Sequence, residues 1–225
     1  MINNNKYWKN YNSQRTKLVK KIVDYNNKIK FNFIEKEHFN HTRDILALTL
    51  ASLESKRNKK VRILDFGSNL LTLANLNNKI DTRRFEFTIY DPFALSLNKL
   101  PKIKNIKYKI KSNIEGLFKK SYDLINFASS IQYQDNFFEN FEFFKLNKTK
   151  IIIFTSTPLS LKKTYKSKQI NHPNLTQNVY SFKILTQKLK LNKFKLIFKS
   201  RNDDKYISCK KRIYKTLSLN LIFKK

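Results

Sequence analysis

Hydrophobic and polar positions follow two different periods along this chain. Residues 7–25 and 42–55 carry apolar side chains at the three- and four-residue spacing of amphipathic helices. Farther along, short apolar runs of strand length alternate with segments of helical spacing. The predicted strands lie at 61–66, 85–90, 106–111, 122–127 and 150–155, and the predicted helices between them at 70–76, 94–100 and 137–146. Strands that alternate with helices predict right-handed crossovers and a parallel sheet.

The helix predicted at 137–146 has the clearest signals. Phe137, Phe141 and Phe144 repeat on one face, and Asn136 precedes them as the predicted N-cap. A platform for stacking bases is one interpretation of these rings. Because the opposite face is polar, packing in the core is the favoured one.

The pattern changes after residue 156. A lysine-rich polar stretch at 161–178 is predicted to be a connection, and a helix at 182–191 follows it. Two further runs, at 194–199 and 214–223, are long enough for a terminal antiparallel pair. The predicted fold class is therefore α/β: a three-layer sandwich with a mostly parallel seven-stranded sheet, an antiparallel terminal strand and a helical N-terminal arm.

No internal repeat and no linker rich in Pro, Gly or Ser divides the 225 residues. We expect a helical N-terminal extension at 1–57 that packs on the core, and one α/β domain at 58–225. Hydrophobic residues make up 40% of the chain and aromatic residues 14%, which predicts a buried core rather than disorder.

Signals for secretion and membrane insertion are lacking in the sequence. The first residues are too polar for a secretory signal, and the longest apolar stretch, 45–53, is about half as long as a membrane span requires. A single cysteine, Cys209, excludes a disulfide within the chain and a zinc site built on cysteines. We expect a cytoplasmic protein with no membrane span.

The formal net charge of +31 has two interpretations. A polyanion such as RNA or DNA is the partner that such a charge would suit, because phosphate contacts release counterions. The alternative is a compositional bias, since Lys, Asn, Ile, Phe and Tyr are all abundant, as in proteins of AT-rich genomes. The lysines are spread along the chain, and the stretch 121–144 contains no Lys or Arg at all. A nucleic-acid partner is therefore possible but less favoured than a small molecule.

The candidate chemistry lies where the predicted strands end. One of the chain's two glycines, Gly67, follows the first strand and opens a turn with Ser68 and Asn69, just after Asp65. Asp91 ends the second strand. Because the carboxyl ends of parallel strands meet at one edge, these residues predict a nucleotide-type site in which Asp91 binds the ribose hydroxyls. The alternative is purely structural, with Asp91 capping a helix that begins at Pro92.

Five stretches occur together and in a fixed order along the chain. They are Ile63-Leu64-Asp65-Phe66-Gly67, Ile89-Tyr90-Asp91-Pro92, Ser129-Ser130-Ile131-Gln132-Tyr133, Ile151-Ile152-Ile153-Phe154-Thr155-Ser156-Thr157-Pro158 and Leu219-Asn220-Leu221-Ile222-Phe223. With them, the chain resembles the class I S-adenosylmethionine-dependent methyltransferases that are associated with surface-polysaccharide biosynthesis genes. The resemblance extends from about residue 31 to the end.

This resemblance implies a Rossmann-like class I methyltransferase fold with S-adenosyl-L-methionine as the cofactor. The implied activity is methyl transfer to a small-molecule or sugar acceptor in polysaccharide biosynthesis. In such a site Ser112 and Asn113 would meet the adenine edge, and Ser129 and Ser130 would line the pocket near the sulfonium. His172 is the weak candidate for a catalytic base, and no metal site is expected.

The chain departs from the family pattern at two places. Leu70 and Leu71 follow the turn directly, where further small residues are usual, so that added bulk is expected near the cofactor. Thr155 and Ser156 replace the acidic and basic pair that usually precedes the Thr-Pro step.

Three other functions remain as alternatives. One is an RNA or DNA methyltransferase, favoured by the charge, although the acceptor motif of many base-methylating enzymes is absent at 128–131. The second is a non-catalytic binding protein on a degenerate methyltransferase fold, favoured by the two leucines. A nicotinamide-dependent dehydrogenase is least favoured, because the G-x-G-x-x-G spacing is absent.

Overall fold

The computed structural model describes residues 41–53, 60–68, 70–77, 79–92, 103, 105–169, 175–202 and 216–225, together with the helical residues 13, 14, 17, 20 and 21. The helices in these ranges are α1 (His41–Ala51), α2 (Leu70–Leu76), α3 (Glu115–Phe118), α4 (Phe137–Glu142) and α5 (Phe182–Leu191). The strands are β1 (Val61–Phe66), β2 (Phe85–Tyr90), β3 (Lys107–Lys111), β4 (Leu124–Ala128), β5 (Ile151–Ser160), β6 (Tyr165–Lys168), β7 (Thr176–Ser181), β8 (Lys195–Asn202) and β9 (Thr216–Lys224). Short 3-10 turns lie at Ile131–Tyr133 and Leu146–Lys148.

The strands pair in the order β3-β2-β1-β4-β5-β9-β8. β1 to β5 are parallel, whereas β9 runs antiparallel to both of its neighbours, β5 and β8. The predicted mostly parallel sheet with an antiparallel terminal strand is confirmed. The predicted number of seven strands is wrong, because β7 also pairs with the end of β5 and β6 pairs with β7, which gives nine strands among the described residues. Because β1 lies between β2 and β4, the chain reverses its winding direction there, and the ends of these strands border a crevice.

Helices cover both faces of the sheet. On one face, α1 and α2 pack on alternate strand residues that include Ile63, Phe87 and Ile153. On the other face, α3, α4 and α5 pack on the intervening residues, among them Phe127 and Phe154, whose rings stack 5.1 Å apart. The alternation of the strand side chains therefore gives the three predicted layers.

The phenylalanines of the α4 region belong to this second core. Phe137, Phe141 and Phe144 are all buried, so the prediction of core packing is confirmed. The predicted bounds are wrong at its end, since α4 ends at Glu142. Asn136 occupies the N-cap position, but its side chain makes no hydrogen bond to the helix.

The prediction of a polar connection at 161–178 is wrong. β6 and β7 form an antiparallel hairpin there, and β7 pairs with the end of β5 at Leu159 and Ser160. β6 does have a period of two, with Lys166 and Lys168 exposed and Ser167 buried. Because its buried residues are polar, the alternation carries no hydrophobic signal.

One other boundary differs from prediction. β5 continues to Ser160, five residues past its predicted end, and all of its residues are buried. The predicted helix at 94–100 and most of the one at 7–25 lie outside the described residues.

No helix in the described ranges has the length and apolar character needed to cross a membrane.

A partly buried ion pair ties α1 to the loop that follows α2. The Lys79 ammonium lies 2.7 Å from a carboxylate oxygen of Asp44, whose side chain is only 6% exposed. We expect Lys79→Met to lower the free energy of unfolding by about 1–3 kcal/mol, because it leaves a buried carboxylate without its cation. Lys107→Met is the matched control: its pair with Glu86 is exposed and is expected to contribute about 0–1 kcal/mol. Equal losses in urea denaturation would contradict this expectation.

Candidate functional site

The residues predicted from the strand ends are brought together by backbone hydrogen bonds. The Gly67 N–H donates to the Tyr90 carbonyl at 2.9 Å, and the Asp91 N–H donates to the Lys111 carbonyl at 3.0 Å. The first residues after β1, β2 and β3 therefore lie side by side. We call this border of the sheet, with Gly67, Asp91, Ser112 and Ser129, the carboxyl edge.

Gly67 has a structural reason to be a glycine. Its φ of +73° lies in the left-handed region, which favours glycine. A Cβ atom on Gly67 would lie 2.1 Å from the Cβ of Ser130. Ser130 is held in this position because its hydroxyl donates to the Phe66 carbonyl at 2.7 Å. The end of β1 and the residues after β4 are therefore in direct contact.

The turn after Gly67 leads into α2. Ser68 is buried, and its hydroxyl donates to Thr72 Oγ1 at 2.6 Å. Asn69 lies outside the described residues. Leu70 is buried in the core with Leu73. The side chain of Leu71 lies outside the described residues, so the expectation of added bulk near the cofactor stays a prediction.

Asp65 and Asn126 form a buried polar pair on adjacent strands, just below the carboxyl edge. The Asn126 Nδ2 donates to Asp65 Oδ1 at 2.8 Å, and the Asp65 side chain has no exposed surface. Burial raises the pKa of Asp65 to about 6, although the nearby Ser68 and Asn126 side chains oppose this rise. Asp65 Oδ2 and Asn126 Oδ1 have no hydrogen-bond partner among the described residues.

Two serines have left-handed backbone conformations; one directly follows β4 and the other lies within β5. Ser129 has φ +49° and Ser156 has φ +46°, in a region that costs about 1 kcal/mol or more for residues other than glycine. The Ser129 hydroxyl donates to the Ser156 carbonyl at 3.1 Å. The Ser156 N–H donates to the side chain of Asn220, which is buried in β9, at 2.8 Å. Two of the four described non-glycine residues with positive φ are thus linked to each other where β4 ends; the other two, Asn105 and Lys193, precede β3 and β8.

Four buried amide side chains surround the 3-10 turn that follows Ser130; they are Gln132, Gln169, Gln177 and Asn178. We call them the amide cluster. The Gln132 Nε2 donates to the carbonyl of Ser129 at 2.9 Å and to its hydroxyl at 3.1 Å. Gln169 Nε2 donates to the Tyr133 hydroxyl, and Asn178 Nδ2 donates to the Gln134 carbonyl at 3.1 Å. Gln132 Oε1 is buried and has no partner among the described residues.

A salt bridge lies at the outer end of this cluster. Lys166 is 2.9 Å from Asp135, and together with Asn178 it lowers the pKa of that carboxyl. Tyr180 donates its hydroxyl to the Gln134 carbonyl, and burial raises its pKa to about 12. These contacts fix the hairpin against residues 131–135.

The remaining predicted residues divide into two groups. Ser112 and Asn113 follow β3 at the carboxyl edge, where the Asn113 Oδ1 accepts from the Glu115 N–H at 2.8 Å. Part of the Asn113 side chain is thus used in starting α3. His172, the candidate base, lies outside the described residues, as does Cys209. Within the described ranges, no three His, Cys, Asp or Glu side chains are grouped as metal ligands.

Sequence reasoning missed Asn126, Ser156 and the amide cluster. The available signal was an amide inside an apolar strand, since Asn126 follows Leu124 and Ile125. An amide there, next to the strand that carries Asp65, predicts a buried polar pair. For the glutamines no comparable signal exists.

No protein-family model and no curated protein sequence matches the chain. Solved structures do match. The 1,6-didemethyltoxoflavin-N1-methyltransferase of Burkholderia thailandensis, with bound 1,6-didemethyltoxoflavin and S-adenosylhomocysteine, has a TM-score of 0.51 at 11% identity and covers 96% of this chain and 89% of its own. Magnesium protoporphyrin IX methyltransferase from Synechocystis PCC 6803, with bound SAH, has a TM-score of 0.48 at 10% identity, covering 84% of this chain and 90% of its own.

The 16S rRNA methylase ArmA is also similar, with a TM-score of 0.43 at 15% identity over 92% of this chain and 96% of its own. At such identities a likeness concerns the fold alone. The sheet order, its mostly parallel strands and its flanking helices match the class I methyltransferase structures. The fold class predicted from the sequence is confirmed.

Proposed function

We propose that this protein is an S-adenosylmethionine-dependent methyltransferase that acts on a small-molecule or sugar acceptor. The observation that carries this proposal is the contact of the β1 turn with both neighbouring strand ends. Gly67 donates to the Tyr90 carbonyl, directly before Asp91, and its Cα faces Ser130. One compact edge thus combines a tight turn, an acid and a pair of serines.

The residues at this edge fit the cofactor chemically. S-adenosylmethionine has a ribose diol, an ammonium group and a carboxylate, and it supplies a methyl group on a cationic sulfonium. Asp91 is only partly exposed and offers two carboxylate oxygens for the diol. Asp65 Oδ2 and Asn126 Oδ1 lack a hydrogen-bond donor in the described part of the chain, and an ammonium group is a donor of the kind that they would accept.

The surroundings of the acceptor side favour a ligand without phosphates. Residues 121–144, which include the strained serine step and the 3-10 turn, contain acids but no Lys or Arg. Phosphate recognition relies on such cations. The expected acceptor is therefore a sugar or another small molecule, and a role in polysaccharide biosynthesis is part of this proposal.

Asp91 provides the direct test of the cofactor site. We expect Asp91→Ala to weaken S-adenosylmethionine about tenfold to a hundredfold, because charge-assisted hydrogen bonds to the diol are lost. Isothermal titration calorimetry with S-adenosylmethionine and S-adenosylhomocysteine measures the effect. Asp81→Ala is the matched control: this exposed acid precedes the same strand at its other end, where it pairs with Arg83.

If Asp91→Ala binds S-adenosylmethionine with unchanged affinity, Asp91 does not bind the ribose hydroxyls. If the folded wild-type protein binds neither compound, the proposed enzyme is replaced by the non-catalytic alternative.

A second function, methylation of RNA or DNA, is favoured by one observation. No Asp or Glu stands between Glu142 and Asp203, a stretch that includes α5 and β8 with exposed Lys195, Lys199 and Arg201. Such a surface attracts polyanions. Labelled methyl transfer to RNA, together with an RNA affinity that falls steeply with salt, would favour this function over the first.

A further inference from the structure

The amide cluster contains an acceptor atom whose direction is fixed. Because the Gln132 Nε2 is held by two oxygens of Ser129, the opposite end of that amide, Oε1, must point away from Ser129. This oxygen is buried and has no donor among the described residues. A buried carbonyl without a donor costs about 1–3 kcal/mol, so a ligand that supplies one gains correspondingly.

The hairpin places more groups of the same kind beside Gln132. The Asn178 Nδ2 on β7 donates to the backbone carbonyl of Gln132 at 3.4 Å, and the Gln169 Nε2 donates to the hydroxyl of Tyr133. Gln169 also reaches Gln177 at 3.5 Å. The four members of the cluster all have uncharged amides, and Asp135 and Lys166 at its outer end form a salt bridge with each other.

The uncharged hydrogen-bonding groups of the amide cluster favour some ligands over others. A phosphate or carboxylate would meet the unpartnered carbonyl with another acceptor. An ammonium group would enter a buried site that offers it no carboxylate among the described residues of the cluster, at a high desolvation cost. A hydroxyl group donates to such a carbonyl and accepts from a neighbouring amide or tyrosine hydroxyl.

The amide cluster is also connected to the carboxyl edge. Gln132 holds Ser129, and the next residue, Ser130, touches Gly67. A group bound by Gln132 would therefore lie close to the carboxyl edge, where the cofactor is proposed to bind.

We propose that Gln132 and the β6–β7 hairpin recognise an uncharged, polyhydroxylated acceptor, with Gln132 Oε1 accepting a hydrogen bond from one of its hydroxyls. This inference rests on the proposed methyltransferase function and assigns the acceptor class of that site. The hairpin is then the specificity element of the enzyme.

The acceptor class is tested by labelling. Full-length protein is incubated with S-adenosylmethionine carrying a tritiated methyl group and an extract of the cells that express it, and the labelled products are hydrolysed and identified. We expect the label as a methyl ether on a neutral sugar or polyol unit. Label on a nucleobase, an amine or a carboxylate would overturn the inference, as would the absence of any labelled product while the cofactor binds.

The role of Gln132 is tested on the product identified in this way. Gln132→Met keeps the side-chain length and removes both hydrogen-bonding ends; we expect the acceptor KM to rise about tenfold while the Kd of S-adenosylmethionine stays within about twofold. Tyr133→Phe removes a single hydroxyl, is expected to raise the same KM, and replaces the first variant if that one does not fold. Gln187→Leu, at an exposed position of α5, is the matched control.

Two results separate the inference from the proposed function. If wild-type protein fails to bind S-adenosylmethionine, the methyltransferase itself is contradicted. If it binds and transfers the methyl group but Gln132→Met and Tyr133→Phe keep the wild-type KM, only the assignment of the hairpin is overturned.

Discussion

Replacing Gly67 with alanine is expected to lower the free energy of unfolding by about 2–5 kcal/mol. Two effects add: a non-glycine residue at φ +73° costs about 1–2 kcal/mol, and forcing a methyl group to within 2.1 Å of the Ser130 Cβ costs about 1–3 kcal/mol. Urea denaturation followed by circular dichroism measures the loss. Because the fold itself is weakened, a Gly67 variant is a poor probe of cofactor binding.

The chain supplies its own control for this experiment. Its other glycine, Gly116 in α3, has open space where a Cβ would stand, so Gly116→Ala is expected to be neutral or stabilising by about 0.5–1 kcal/mol. Adding Ser130→Gly to Gly67→Ala removes the clash but keeps the backbone cost, and should recover part of the loss. Equal stabilities of the two alanine variants would contradict the geometry described for the turn.

Asp65→Asn is expected to remove about 3 kcal/mol of pH dependence from the free energy of unfolding. The pKa of Asp65 is about 6 in the folded protein and about 3.9 in the unfolded chain, so the folded state binds more protons between these values. The stabilisation by this group is complete below about pH 4 and is lost as the pH rises through about 6. The asparagine variant should therefore gain stability relative to wild type across this range.

Urea titrations of both proteins at several pH values measure this difference. Asp81→Asn provides a control of opposite sign, because Arg83 lowers the pKa of Asp81 to about 2 and stability from that group is lost as the pH falls. A wild-type curve that parallels the Asp65→Asn curve would show that the carboxylate is not buried as described.

The sequence predicted the sheet well because its inner strands are apolar on both faces. Runs such as 151–154 are apolar throughout and of strand length, and the alternation of such runs with helices implies the parallel order. The β6–β7 hairpin was not predicted because its buried residues include the polar Gln177 and Ser167. Such residues become strand-forming only through partners that are distant in the sequence.

The candidate site was predictable in its outline but not in its contacts. Strand ends located Gly67, Asp91 and Ser130 at a common edge, since parallel strands end together. The turn that favours glycine at position 67 was predicted and has a φ of +73°, whereas the second reason for this glycine, its contact with Ser130, was not predicted. Neither this contact nor the direction of the Gln132 amide follows from residue spacing, because both depend on how the ends of neighbouring strands approach each other.

Asn220 affects the order in which parts of the protein fold. Its buried amide accepts from the Ser156 N–H and donates to Ser200. A residue of β9 therefore holds the bend in β5, which lies where the β5–β9 register shifts between Phe154 and Thr157. Synthesis proceeds from the N-terminus, and early segments begin to fold while later ones are still missing. A nascent chain that stops before β9 lacks the group that fixes this bend. The conformation of Ser156 at the carboxyl edge is then fixed only after β9 has been synthesised and has paired with β5.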